Sequence, residues 1–170
     1  MSKCAYAHCF CRDLPLTKET SQVKPNTKNQ RYHNDCLKAS MNLIEFKNVW
    51  QSGVNKAENW TRLTMILNRL VFTPNEDYYD FCKMSVVERS EYMLFALRYI
   101  ISHKFNLNYP EGFKFYIPND EIMKAYESKV HPKQKPKDIE VTPEMSNETT
   151  FVHKTNNKPR VRFGNLFGGL

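Results

Sequence analysis

Residues 85–101 read Ser85-Val86-Val87-Glu88-Arg89-Ser90-Glu91-Tyr92-Met93-Leu94-Phe95-Ala96-Leu97-Arg98-Tyr99-Ile100-Ile101, and this stretch decides the fold class. Ser85 followed three residues later by Glu88 is a capping box, in which each side chain satisfies the other's backbone N–H. Beyond it Tyr92, Met93, Phe95, Ala96, Leu97, Tyr99, Ile100 and Ile101 make the segment apolar nearly all round. A helix of that kind is buried on most sides and sits at the centre of its domain.

Working towards the N-terminus, Leu37, Met41, Ile44, Phe46, Val49 and Trp50 recur at helical spacing until Gly53 ends the pattern. A second amphipathic run is marked by Ala57, Trp60, Leu63, Ile66, Leu67 and Leu70 and stops at Thr73-Pro74-Asn75. Tyr78, Tyr79 and Phe81 fall in a short link. On the other side of the central helix, the Asn106–Pro110 stretch breaks the pattern and Gly112 turns the chain. Phe113, Phe115 and Ile117 then alternate with Lys114 and Tyr116, the pattern of a short strand closed by Pro118. Asn119 or Asp120 caps a last short helix to about Lys129. The fold class is therefore mainly α.

The 170 residues are 41% hydrophobic, 25% charged and 13% aromatic, which is room for one compact domain with an appendage. No apolar run approaches the roughly 18 residues that cross a bilayer, so no membrane span is expected. The opening MSKCAYAHC lacks the apolar stretch of a secretion signal, and the expected address is the cytoplasm. In a reducing compartment five cysteines, an odd number, are not a disulfide framework. The chain has no Gly-rich phosphate loop, no Gly-x-Ser-x-Gly and no His-Glu-x-x-His. Only Gly53 and Gly112 precede position 153, which leaves little material for a nucleotide cradle. A non-enzymatic protein without a small-molecule substrate is the expectation.

Charge divides the chain into three parts. Residues 1–38 carry seven Lys/Arg against three Asp/Glu, residues 39–130 carry eleven of each, and residues 131–170 carry seven against four. The net +7 thus sits in a basic head and a basic tail around a neutral helical body. Such ends suit an anionic partner such as nucleic acid, because phosphate contacts release counterions. The head is short of core formers and needs a staple. From His131 onward four prolines interrupt a polar stretch with no sustained period, so residues 131–160 read as a disordered linker and 131–170 as a flexible tail.

The staple is written in the cysteines. Cys4-x4-Cys9 opens the chain and His33-x2-Cys36 closes the head, and two close pairs of soft ligands around a loop build a tetrahedral zinc site. His33-Asn34-Asp35-Cys36 falls where the first body helix begins, so its ligand pair would come from a helix start, as in a treble-clef-like zinc knuckle. The four-residue gap in the first pair is wider than usual in such knuckles, and His8 and Cys11 lie nearby, which leaves Cys11 as an alternative to Cys9. Four protein ligands leave no open position, so zinc here would be structural. A treble-clef nuclease needs a further His on the helix, and none follows.

Within the head, Tyr6, Phe10 and Tyr32 flank Lys3, Arg12 and Arg31, an arrangement suited to stacking on unpaired bases beside phosphate contacts. The alternative is that Phe10 and Tyr32 cover the zinc site. Lys3, Arg12, Arg31 and Tyr32 are the candidate nucleic-acid residues. Elsewhere, Cys82 reads as a small core residue and His103 as a charge partner for a helix C-terminus. At the far end, Phe163, Leu166 and Phe167 are apolar residues on a polar tether and read as a peptide that docks on a protein partner. Phe163-Gly164-Asn165-Leu166-Phe167 is similar to the pentapeptide by which bacterial proteins bind the replication sliding clamp. It keeps the Leu-Phe pair and lacks the leading Gln. Folding back of the tail on its own body is the competing reading.

The segment from Tyr92 to Ile101, followed by Asn108-Tyr109-Pro110-Glu111-Gly112-Phe113 and combined with the Cys pair and Tyr32-His33-x-x-Cys36, resembles uncharacterised small zinc-knuckle proteins of bacteriophages of Gram-positive bacteria. The resemblance covers about three quarters of the chain. It implies a phage origin, and hence a host cytoplasm as the address, without implying a mechanism. The expected function is a phage accessory factor that binds nucleic acid or a replication or transcription complex through its zinc head and C-terminal peptide. The alternative is a phage-encoded inhibitor of a host enzyme or defence complex, for example of the anti-CRISPR type.

Overall fold

The structure, a computed structural model, describes residues 3–25, 27 and 29–132. The expectations about the tail, including Phe163, Leu166 and Phe167, lie outside the described residues. What is described is mainly helical. A two-stranded antiparallel hairpin, β1 (Ser21–Val23) and β2 (Arg31–His33), leads into α1 (Asn34–Gly53). Then come α2 (Trp60–Phe72), the short α3 (Tyr79–Lys83), α4 (Val86–Ser102), a 3-10 helix (Pro110–Tyr116) and α5 (Asp120–Val130).

The capping box predicted at Ser85 starts α4. Glu88 accepts a hydrogen bond from the Ser85 N–H at 2.7 Å, and the Ser85 hydroxyl accepts one from the Glu88 N–H at 3.2 Å. The N–H bond from Ser85 also holds the Glu88 carboxyl below its ordinary pKa. Tyr92, Met93, Ala96, Leu97 and Ile100 of this helix are buried on a core shared with every other helix. Leu43, Phe46 and Trp50 come from α1, Leu63, Leu67 and Val71 from α2, Phe81 from α3, and Ile122 and Tyr126 from α5. The Tyr92 hydroxyl, buried among them, donates to the Ile117 carbonyl at 2.8 Å.

α1 and α4 run parallel. Lys38 pairs with Glu91 at 2.5 Å, Glu45 pairs with Arg98 at 2.8 Å, and Asn42 donates to Ser90 at 3.0 Å. At their far ends the chain needs Gly53, since a Cβ there would meet Ile101 Cδ1 at 2.7 Å. Parallel neighbours need a crossover, and α2 with α3 supplies it.

Three expectations change. Residues 113–117 are not a strand: Phe113–Tyr116 belong to a 3-10 helix that begins at Pro110, and Ile117 is its C-cap. Pro110, Phe113 and Ile117 are buried while Phe115 is 71% exposed, so the apolar alternation also satisfied a helical spacing that tertiary packing selected. Met41 and Trp60, counted in the apolar pattern of their helices, are exposed. Last, the head does not end at residue 38. β2 passes without a break into α1, so head and body share one helix, and the described residues form one compact unit.

Leu97 has no exposed surface and lies mid-helix in this core. Leu97→Ala is expected to lower unfolding free energy by about 2–5 kcal/mol through the cavity it leaves, measured by denaturant titration. An unchanged midpoint would refute its placement.

Candidate metal centre

The head folds around local turns before it meets the helices. Cys9 N–H donates to the Tyr6 carbonyl at 3.1 Å, which closes a turn between the first two cysteines. Ala5 N–H donates to the Arg31 carbonyl at 2.9 Å and lays this turn along β2. The hairpin pairs Ser21 with His33 and Val23 with Arg31. Its loop includes Asn29 at φ 61°, a left-handed conformation that asparagine tolerates. Asn34 ties the approach loop to the helix start, its N–H donating to the Thr20 carbonyl at 3.0 Å and its side-chain amide to the Glu19 carbonyl at 2.9 Å.

His33 is the last residue of β2 and the N-cap of α1, and Cys36 lies in the first helical turn. That places both side chains on one side, facing the turn that carries Cys4 and Cys9. Ligand atoms of Cys4, Cys9, His33 and Cys36 all lie within 4.8 Å of one another. Cys9 Sγ is 3.4 Å from His33 Nδ1 and 3.8 Å from Cys36 Sγ, and Cys36 Sγ is 3.9 Å from Nδ1. A tetrahedron with metal–sulfur bonds near 2.3 Å and metal–nitrogen bonds near 2.0 Å has sulfur–sulfur edges of about 3.8 Å and sulfur–nitrogen edges of about 3.5 Å. The four side chains are close enough to hold a metal ion, and the Cys9–His33 and Cys9–Cys36 separations are those of such a shell.

The imidazole is oriented for the task. His33 Nε2 lies 2.9 Å from the Leu14 carbonyl oxygen, which only accepts hydrogen bonds. Nε2 therefore carries the proton, and Nδ1 presents its lone pair to the sulfurs. Burial pushes the Cys9 and Cys36 thiols up to about 11, while the backbone N–H groups of Phe10 and Cys11 point at Cys36 and act against that rise. Sulfurs crowded in this way resist ionisation unless a cation lies among them, so metal entry would be coupled to loss of their protons.

The cluster of four includes Cys9 and not Cys11. Cys11 offers its backbone N–H to the ligand sulfurs, and its half-buried thiol stays outside the set of four. His8 is also outside. Its ring stacks on Phe72 at 5.3 Å and its Nε2 accepts from the Asn68 amide at 3.0 Å. Tyr6 and Phe10 flank the same Phe72, each with centroids 6.2 Å away. These rings clamp the end of α2, which neither the base-stacking reading nor the zinc-cover reading anticipated. Burial, followed by the nearby Cys36, pushes the Tyr6 phenol up to about 12.

Of the candidate nucleic-acid residues, Lys3 and Arg12 are exposed, and Arg12 Nε donates to the Cys9 carbonyl at 3.2 Å. Arg31 is half-buried and donates to the Ser21 hydroxyl at 3.4 Å. Tyr32 is a correction: at 7% exposure its ring has no open face for a base, and its hydroxyl donates to Gln30 at 3.3 Å. Cys82 donates to the Asn75 carbonyl at 3.2 Å from a half-buried site. His103 stacks on Tyr99 at 3.8 Å and caps the end of α4, its Nδ1 lying 2.9 Å from the Tyr99 carbonyl.

Sequence reading missed a group between α1 and α2. Lys47 of α1 is 8% exposed, and its ammonium donates to the Thr64 hydroxyl at 3.1 Å and lies 4.3 Å above the Trp60 ring. Lys24 at the hairpin lies over Tyr32 at 5.8 Å. A lysine inside an apolar helical pattern gives no signal of its own, and the Trp60 indole looked like core.

No family, curated protein or solved structure matches the chain.

Elemental analysis of purified protein should give one bound metal ion per chain, retained by Cys11→Ser and lost by Cys36→Ser. Metal-free wild-type protein with an intact hairpin, or loss of metal in Cys11→Ser, would contradict the ligand set.

Proposed function

We propose that the chain is a non-enzymatic accessory factor whose Cys3His centre holds one structural zinc ion and whose basic hairpin region binds nucleic acid. The single observation that carries the reading is the closed set of four protein ligands with the His33 tautomer fixed by the Leu14 carbonyl. Three sulfurs and one imidazole are the soft donor set that suits zinc, and four ligands leave no position for a reacting water. In this role the metal organises a surface instead of a reaction.

Nucleic acid is favoured as the partner by the +7 net charge and by the basic head, where Lys3 and Arg12 stand exposed. A protein that holds the head basic and rigid presents phosphate-binding charges at fixed spacing. The resemblance to phage zinc-knuckle proteins fits an accessory role of this kind.

Binding of a fluorescently labelled oligonucleotide tests the reading through its salt dependence. Three to four phosphate contacts to a single strand should weaken affinity roughly 20- to 50-fold between 50 and 200 mM salt. Absence of binding at low salt, or affinity indifferent to salt, would contradict it.

A further inference from the structure

Two large aromatic side chains stand open at the 3-10 helix, Tyr109 at 67% and Phe115 at 71% exposure. A 3-10 helix has three residues per turn, so side chains at i and i+3 eclipse. Pro110 and Phe113, three apart, are buried, and Phe113 packs edge-on against Phe46 at 5.0 Å. One residue earlier on each turn come Tyr109, the N-cap, then Gly112 and Phe115, which share a face turned away from that core. Gly112 has no side chain to place between the two rings. A slot two turns long, about 12 Å, is left there. The segment is held firmly: the Tyr116 hydroxyl donates to the Asn106 carbonyl at 2.7 Å, and Arg62 Nη2 donates to both Glu111 carboxylate oxygens at 2.7 Å.

Both rings line one pocket of about 420 Å³, a size that takes a small ligand, together with Asn106, Asn108 and Lys114. Lys114 is exposed, and its ammonium lies 5.0 Å from the centroid of the Phe115 ring, so a cation stands beside a stacking surface. The Asn108 amide donates to the Asn106 side-chain carbonyl at 2.8 Å, which leaves an N–H on each amide for the edge of a base. The carboxylate of this pocket, Glu111, is already paired with Arg62. Tyr79 makes the contrast. It is 68% exposed with the Lys83 ammonium 3.7 Å from its ring, but the pocket beside it is lined by Asp77, Asp80 and Asp120, which repel a phosphate. Open rings, a lysine and amide donors are the set that holds unpaired bases and their phosphates.

We infer that Tyr109 and Phe115 stack neighbouring bases of a single-stranded nucleic acid, with Lys114 on the phosphate between them and Gly112 keeping the floor of the slot clear. The site rests on the nucleic-acid reading above and adds a second contact to the basic head. Stacking thereby moves away from Tyr32, whose ring is covered. Arg62, in the first turn of α2, borders the new site, while Phe72, the last residue of α2, meets the knuckle. Platform and head therefore lie at opposite ends of one helix. A proline-rich peptide would also use open rings, but the lysine, the amides and the +7 charge of the chain favour an anionic strand.

The test titrates fluorescently labelled oligothymidylate, and separately labelled oligoproline, with zinc-loaded full-length protein and follows anisotropy at low salt. Circular dichroism and metal content check the fold of each variant. Tyr109→Ala and Phe115→Ala should each weaken oligothymidylate binding roughly 5- to 150-fold, with Tyr109→Phe retaining most of it. Lys114→Gln should reduce the salt slope by about 0.7. Gly112→Leu keeps both rings and fills the slot, and the backbone has room for it because a Cβ there meets only Leu107 Cδ1, at 3.6 Å. It should weaken binding as much as the loss of a ring, whereas Tyr79→Ala should change nothing. If one ring variant fails to fold, the other and Gly112→Leu decide. Salt-dependent binding indifferent to the changes at Tyr109, Gly112 and Phe115 would overturn the platform and leave the broader reading standing. No binding of oligothymidylate at low salt would overturn both, and ring-dependent binding of oligoproline in its place would assign the face to a peptide.

Discussion

The first turn of α1 is the joint on which the molecule depends. Cys36 belongs to the metal centre, yet ten residues further along the same helix Phe46 is packed edge-on against Phe113 at 5.0 Å and stacked with Trp50 in the core. A helix transmits position rigidly over such a distance, so the ligand set and the core are registered to each other. The head has little else: among its described residues up to His33, only Ser21, Tyr32 and His33 are buried. So small an apolar content does not offset the entropy of ordering two strands and their turns, and a metal held by the four side chains would supply the missing stabilisation.

A second anchor makes the head part of the body. Within the knuckle Cys4 and Cys9 join the Cys/His cluster, while Tyr6, His8 and Phe10 surround Phe72 at the end of α2. The Cys/His cluster and the aromatic contacts thereby hold the knuckle against α1 and α2, and the hairpin packs on α1. Charge placement, on the proposed reading the working part of the molecule, follows from that double anchoring.

Much of this was legible in the residues. The capping box at Ser85 and the all-round apolar run after it marked α4 because short-range chemistry and burial agree there. A cap at Asn119 or Asp120 was legible for the same reason, and Asn119 is the one that accepts from the Glu121 and Ile122 N–H groups. The metal ligands could be read because Cys and His are rare and their spacing has one economical explanation. What was not legible depended on distant partners. Residues 113–117 satisfy strand and helix periods alike, and only the packing of Phe113 and Ile117 selects the 3-10 helix. The choice between Cys9 and Cys11 turns on the local path of the chain, which spacing alone does not define. Tyr6, His8 and Phe10 could not be paired with Phe72 from sequence, since more than sixty residues separate them. Lys47 was hidden because a single cation in an apolar pattern looks like an ordinary surface position.

Backbone hydrogen exchange on the protein before and after removal of metal by a chelator tests most directly whether the Cys3His centre orders the head. The account predicts that the amides of Ala5, Lys24 and Asn34, which bond to Arg31, Gln30 and Thr20 in the ordered head, lose their protection on chelation. Amides between Met93 and Ile100, buried in the helical core, keep theirs. Head amides equally protected with and without metal would contradict the account.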